Sequence, residues 1–248
     1  MDPESGTFGE VPPIKHFVEG GFGGFWGKEY FCDVKSYMTG MRTEIDPKTT
    51  ERAQSFELWK NAPMPKVTLV KTFEIGRLVR QSRRKGLKLN MLMCWCIVRA
   101  ARDIKEFYML PKGDRYLKYD SLAVNMVVPT KGGSVALCDI PFSDDLQQFN
   151  SDYLRLTQMV HETGVAHDLS DKHMIISTSA LPECEIDTMV SIYSEVFNSP
   201  FLAWGKYRRR FFKTVLPISF QFHHAQMDGA EAAHFLNALQ AEFKNVRI

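Results

Sequence analysis

Phe222-His223-His224-Ala225-Gln226-Met227-Asp228-Gly229, near the C-terminal end of the chain, places an Asp-Gly pair four residues after the second of two adjacent histidines. The stretch before it, Val215 to Phe222, alternates apolar and polar from Pro217 on, which predicts a half-buried strand. Beyond it, Ala232, Leu236, Leu239 and Phe243 recur at helical spacing. A strand therefore turns into a helix through a corner holding an imidazole and a carboxylate, and Gly229 is expected to ease the backbone there. Such a corner suits general-base chemistry, because the unperturbed histidine pKa, about 6.5, lies nearest neutrality. As strand neighbours, His223 and His224 are expected to point to opposite faces, so only one serves a given site. No metal is expected: His224 and Asp228 fall on different elements, and no third ligand has suitable spacing.

Working outward, the composition narrows the class. The chain has 248 residues, 44% of them hydrophobic, enough for a substantial core. Its formal net charge of +2 argues against a nucleic-acid partner. The five cysteines are scattered, with Cys94 and Cys96 inside an apolar helical run, so reduced, buried thiols of a cytoplasmic protein are expected. Met1 to Ser5 has neither the basic nor the apolar region of a secretory signal. The apolar run from Leu89 to Val98 is too short to span a bilayer, so no membrane partner is expected.

Residues 1–41 read as an N-terminal extension, loosely ordered or extraneous to the domain, with Met41 able to serve as an alternative start. Its Gly27-Lys28 pair is no phosphate loop, since Phe22 and Glu29 occupy the positions that need glycine and a hydroxyl. Residues 42–248 read as one mixed α/β domain. Helices are expected over Asp46 to Trp59, Ile75 to Arg84, Leu89 to Ile104 and Asp144 to His161. Strands are expected over Lys66 to Phe73, Tyr116 to Val128, Ser134 to Cys138 and His173 to Ala180. Phe201 to Tyr207 and Lys213 to Phe222 predict a hairpin around the basic turn Arg208-Arg209-Arg210.

The corner resembles the His-His-x-x-x-Asp-Gly signature of coenzyme-A-dependent acyltransferases. Three further segments make the resemblance one to the chloramphenicol acetyltransferase family. Arg52-Ala53-Gln54-Ser55-Phe56-Glu57 is similar to its Arg-x-x-x-Phe-Glu helix, Ser179-Ala180-Leu181-Pro182 to its Ser-Ala-Leu-Pro segment, and Pro200 to Lys206-Tyr207 to its coenzyme strand. The resemblance runs in family order from about residue 42 to the end and implies a two-layer α/β sandwich with a mixed β-sheet. It implies a homotrimer with active sites between subunits, and transfer of an acetyl group from acetyl-coenzyme A to a hydroxyl acceptor.

Carried over residue by residue, the resemblance makes His224 the general base and Ser179 the donor to the oxyanion. Asp228 and Arg52 become a structural pair that holds the corner. Lys206, Tyr207 and Ala203 fall on the coenzyme side, where Arg208 to Arg210 either attract phosphates or form a solvated turn. Leu58, Trp59, Met126 and Val128 fall on the acceptor side. Departures cluster there, where Leu58-Trp59 replaces Phe-Tyr, Met126 to Pro129 replaces Phe-Thr-Val-Phe and Glu183 replaces tryptophan; on the coenzyme strand Ala203 replaces a threonine. The acceptor is therefore left open between chloramphenicol and another alcohol. Two other readings stand beside this one, a dihydrolipoyl acyltransferase catalytic domain and a non-catalytic trimer that binds coenzyme A or another ligand.

Overall fold

The computed structural model describes residues 42–192 and 197–247, so the expected N-terminal extension lies outside the described residues. The chain opens with β1 (Thr43–Ile45), a 3-10 turn (Pro47–Thr49), α1 (Ala53–Trp59), β2 (Lys66–Glu74), α2 (Gly76–Lys85) and α3 (Leu89–Ala101). After a second 3-10 turn come β3 (Met109–Lys112), β4 (Arg115–Lys118), β5 (Leu122–Pro129), β6 (Val135–Pro141) and α4 (Leu146–Thr163). β7 (Met174–Ala180), β8 (Phe201–Trp204), β9 (Arg208–Arg210), β10 (Lys213–His223) and α5 (Gly229–Asn245) complete it.

The large sheet runs β2-β10-β8-β7-β5-β6, with β9 also paired to β10. Its β5–β7 and β7–β8 contacts are parallel and the others antiparallel. The result is the expected α/β fold with a mixed sheet. Register places Phe73, Val124, Ile176, Leu202, Ile218 and Phe220 on one face, and these join Leu78, Ile97, Phe149, Phe235 and Leu239 of the helices in one core. α3 is apolar nearly all round because it is buried nearly all round. α2 is amphipathic and ends at Gly86, whose φ of 65° supplies a left-handed cap. The small sheet, β1-β4-β3, carries Tyr116, which packs edge-on against Phe56 of α1.

Four expectations change. The single helix over Asp46 to Trp59 is broken, because Asp46 and Thr50 side chains hydrogen-bond the local backbone and hold a 3-10 turn before α1. Tyr116 to Val128 is two strands in two sheets, parted by a bend at Asp120. Arg208 to Arg210 is itself a strand, and the turn falls on Phe211 and Phe212. β10 is not half-buried: from Leu216 to His223 every residue is buried. Its polar face meets the segment 185–192, where Met189 N–H donates to Ser219 Oγ (2.8 Å) and Gln221 Nε2 donates to Ser191 O (3.1 Å). Alternation records polarity, and a polar protein cover reads the same as water. Elsewhere on that face Val70, Val127, Val135 and Leu137 are exposed, while Asn125 and Asp139 are buried and Asp139 Oδ2 accepts the Leu169 N–H.

Candidate active site

β10 stops at His223, and the chain crosses to α5 through His224 to Met227. His223 is buried, and its Nδ1 accepts the Ala225 N–H at 3.1 Å. Burial, reinforced by nearby Lys66 and His224, lowers its pKa to about 4, which keeps it a neutral acceptor that shapes the turn. His224 N–H donates to Pro65 O at 2.8 Å, the last tie to the β2 side of the sheet. Its ring stacks on the Trp59 indole, centroids 4.4 Å apart and planes 8° from parallel. Nδ1 lies 3.1 Å from Asp228 Oδ1, outside the angles of a directed hydrogen bond. Among the described residues Nε2 has no partner, and it is the nitrogen left for another molecule.

Arg52 organises this corner. Its guanidinium donates to both Asp228 oxygens (2.7 and 2.9 Å), to His224 O (2.8 Å) and to Ala225 O (3.1 Å). Those bonds, led by the hydrogen bond to Arg52, hold the Asp228 carboxyl below its ordinary pKa. Asp228 also ends the turn as the N-cap of α5, its N–H donating to Glu231 Oε2 at 2.9 Å. Fully buried Tyr116 donates its hydroxyl to Ala225 O at 2.7 Å. Gly229 has an ordinary φ and open space around it, so the corner does not depend on a glycine there.

Ser179 and the coenzyme-side candidates lie away from this corner. Ser179 sits beside Ala203, which sits beside Ser219 of β10, five residues before His224. At roughly 3.3 Å per residue and roughly 4.8 Å per strand, Ser179 and His224 are separated by roughly 19 Å within one chain. Ser179 Oγ bonds none of the described residues. Ala203 is buried, on the face that Ser179 shares. On the opposite face opens a cleft of about 570 Å³, walled by Leu89, Met93, Met126, Trp204 and Leu216 with Lys206 and Tyr207 at its side. Gly205 is obligatory there: a Cβ would come within 2.4 Å of Cys184 O, which accepts the Lys206 N–H at 2.7 Å. Tyr207 accepts from Arg83 Nη2 at 2.9 Å. Of the arginine run, Arg208 pairs with Glu185 and Asp187.

The four acceptor-side candidates do not share a cavity in one chain. Trp59 lies on His224, Leu58 beside it is 68% exposed, Met126 lines the apolar cleft, and Val128 is buried in the core. Sequence reasoning missed Tyr116 and Arg83. Each acts through a contact more than a hundred residues away in sequence, and neither carries a local signature.

A sequence model of the chloramphenicol acetyltransferase family matches residues 41–240. Chloramphenicol acetyltransferase 3 of Escherichia coli is 27% identical over 205 residues, covering 80% of this chain and 95% of that protein. A solved chloramphenicol acetyltransferase superposes with a TM-score of 0.72 at 20% identity, over 81% of this chain and 99% of the other. A dihydrolipoamide acetyltransferase of Azotobacter vinelandii superposes with a TM-score of 0.60 at 18% identity, over 79% and 87% of the two chains, a likeness of fold.

Proposed function

The chain belongs to the chloramphenicol acetyltransferase family, and from that premise we propose that it transfers an acetyl group from acetyl-coenzyme A to a hydroxyl of a small-molecule acceptor. The observation that carries this reading is His224 itself. It stacks on Trp59, Arg52 holds its carbonyl, and its Nε2 has no partner among the described residues. A hydroxyl is a poor nucleophile until its proton leaves, and a fixed imidazole takes that proton as the oxygen attacks the thioester carbonyl. Ser179 donates to the oxygen that gains charge in the tetrahedral intermediate, whose collapse breaks the C–S bond and expels coenzyme A as the thiol, carrying off the proton held by His224. Asp228 and Arg52 hold the turn that orients His224, and both stay ionised.

The apolar cleft suits coenzyme A. A volume of about 570 Å³ falls in the range of small-molecule sites. Its walls suit a long, weakly polar arm; Lys206 lines the cleft and Arg83 donates to Tyr207 at its side, and both are proposed as cations for the phosphates. Because Ser179 and His224 are too far apart to meet in one chain, the reading requires His224 of one copy to face Ser179 of another. The exposed Val70, Val127, Val135 and Leu137 on one sheet face supply apolar area for that association, and a homotrimer is proposed. Residues 42–248 form the catalytic domain in this reading, and the enzyme acts in the cytoplasm.

Chloramphenicol is the first acceptor to test, and where it is the acceptor the activity confers resistance to it. Leu58, Trp59, Met126 and Val128 make the acceptor side the place where another alcohol is selected. Thiol release from acetyl-coenzyme A, with and without chloramphenicol and a panel of alcohols, tests the reading. Acceptor-dependent release that disappears in His224→Ala supports it. Release unchanged in that variant refutes the general base. Coenzyme binding without turnover of any alcohol favours the non-catalytic reading.

A further inference from the structure

The near-neutral net charge hides a local segregation that the proposed chemistry does not use. β9 and β10 form a hairpin in which Arg210 pairs with Lys213, so Phe211 and Phe212 are the whole turn. Both rings are fully exposed, at 102% and 105%. Phe211 has a φ of 50°, a position that tight turns normally give to glycine or asparagine. The chain thus holds two large apolar side chains in water, on a backbone that disfavours one of them.

Exposed cations stand on the hairpin and on the helix at its base. Arg209 and Arg210 are exposed on the hairpin, and α2 lies against its base, with Ile75 N–H bonded to Thr214 O. Arg80 and Arg84 on that helix are exposed too, and α2 contains no acidic residue. Among the described residues none of these four arginines forms an ion pair. Acidic groups do stand near the hairpin, but each is engaged: Glu74 with Lys213 and Lys244, Glu185 and Asp187 with Arg208. The tip also lies apart from the proposed coenzyme cleft: the hollow lined by Phe211 and Phe212 includes Thr72, Arg210 and Val215 and shares no residue with that cleft.

We propose that this hairpin docks the protein on an anionic bilayer surface. The two phenylalanines insert at the headgroup level, and Arg80, Arg84, Arg209 and Arg210 face the lipid phosphates. Two exposed aromatics amid unpaired cations fit a surface that is negative outside and apolar just beneath, and a purely polar polyanion would leave the rings unused. This is attachment to a surface; among the described residues no helix is long and apolar enough to cross a membrane.

The test is co-sedimentation of the full chain with phosphatidylcholine vesicles, with and without about 30 mol % phosphatidylserine. The wild type is expected to bind the anionic vesicles at least about tenfold better than the neutral ones, and to be released as about 1 M salt shortens the screening length. A Phe211→Ser/Phe212→Ser variant is expected to lose about tenfold or more in binding while keeping its melting temperature and thiol-release rate. Equal binding by wild type and variant overturns the proposal, as does equal binding to both vesicle types. Absence of vesicle binding, with a single-stranded oligonucleotide bound through the same phenylalanines, also overturns it, in favour of base stacking.

Discussion

Replacing Arg52 by alanine perturbs the corner most directly. The change removes the bidentate partner of Asp228 and leaves the carbonyls of His224 and Ala225 short of a donor, although Ala225 O keeps the Tyr116 hydroxyl. A fully buried charge stripped of its partner costs about 3–5 kcal/mol. Here the Arg52 side chain is 14% exposed and that of Asp228 is 43% exposed, so water recovers part of the loss. An expected cost of about 2–3 kcal/mol follows. In a domain of this size that lowers the melting temperature by about 5–10 °C. The kinetic effect is separable. With the turn released, the imidazole is no longer held in register, and a displacement of about 1 Å is enough to reduce kcat about 10- to 100-fold. Steady-state kinetics well below the variant's melting temperature read this, with KM for acetyl-coenzyme A changed by less than about threefold. Arg52→Lys should fall between the two, since one ammonium neutralises Asp228 but cannot reach all three residues as the guanidinium fork does. A cycle with Asp228→Ala isolates the coupling. Arg52→Ala with unchanged melting temperature and unchanged kcat would refute the assignment of Arg52 and Asp228 to holding His224.

Three further outcomes are expected. Ser179→Ala should cut kcat about 10²- to 10³-fold, the usual loss of one oxyanion donor, with the melting temperature unmoved because Ser179 Oγ bonds none of the described residues; a kcat near wild type removes Ser179 from the chemistry. Trp59→Leu removes the stack on His224, worth about 0.5–1.5 kcal/mol, and should lower kcat about 2- to 10-fold with coenzyme KM unchanged. His223 has a folded pKa of about 4, below its unfolded value, so the folded state binds fewer protons between those limits. Stability should therefore be intact above about pH 6.5 and fall by up to about 3 kcal/mol as the pH drops to about 4. Urea denaturation across that range reads the slope, and His223→Asn should flatten it; identical slopes in both proteins assign the acid sensitivity elsewhere.

Much of this protein was legible before its fold. Periodicity located α2, α3, α4, β2 and β7 to within a few residues, because each buries one face or nearly all of itself and its sequence records that. The His224–Asp228 corner was legible because strand, turn and helix are consecutive in the chain. Errors came where local side chains competed with the helix, as at Asp46 and Thr50, or where a polar layer stood in for solvent, as over Ser219 and Gln221.

By itself the sequence determined the α/β class, the longer helices and strands and the family, since these depend on patterns and motifs contiguous along the chain. Tertiary structure alone decided that Arg52 grips four acceptors around His224, that Tyr116 supports the same turn, and that Trp59 lies on the imidazole. It alone set Ser179 and the Lys206–Tyr207 cleft away from His224. The physical reason is that burial and hydrogen-bond geometry join residues separated by up to 176 positions, and no local rule of composition or spacing specifies which of them meet.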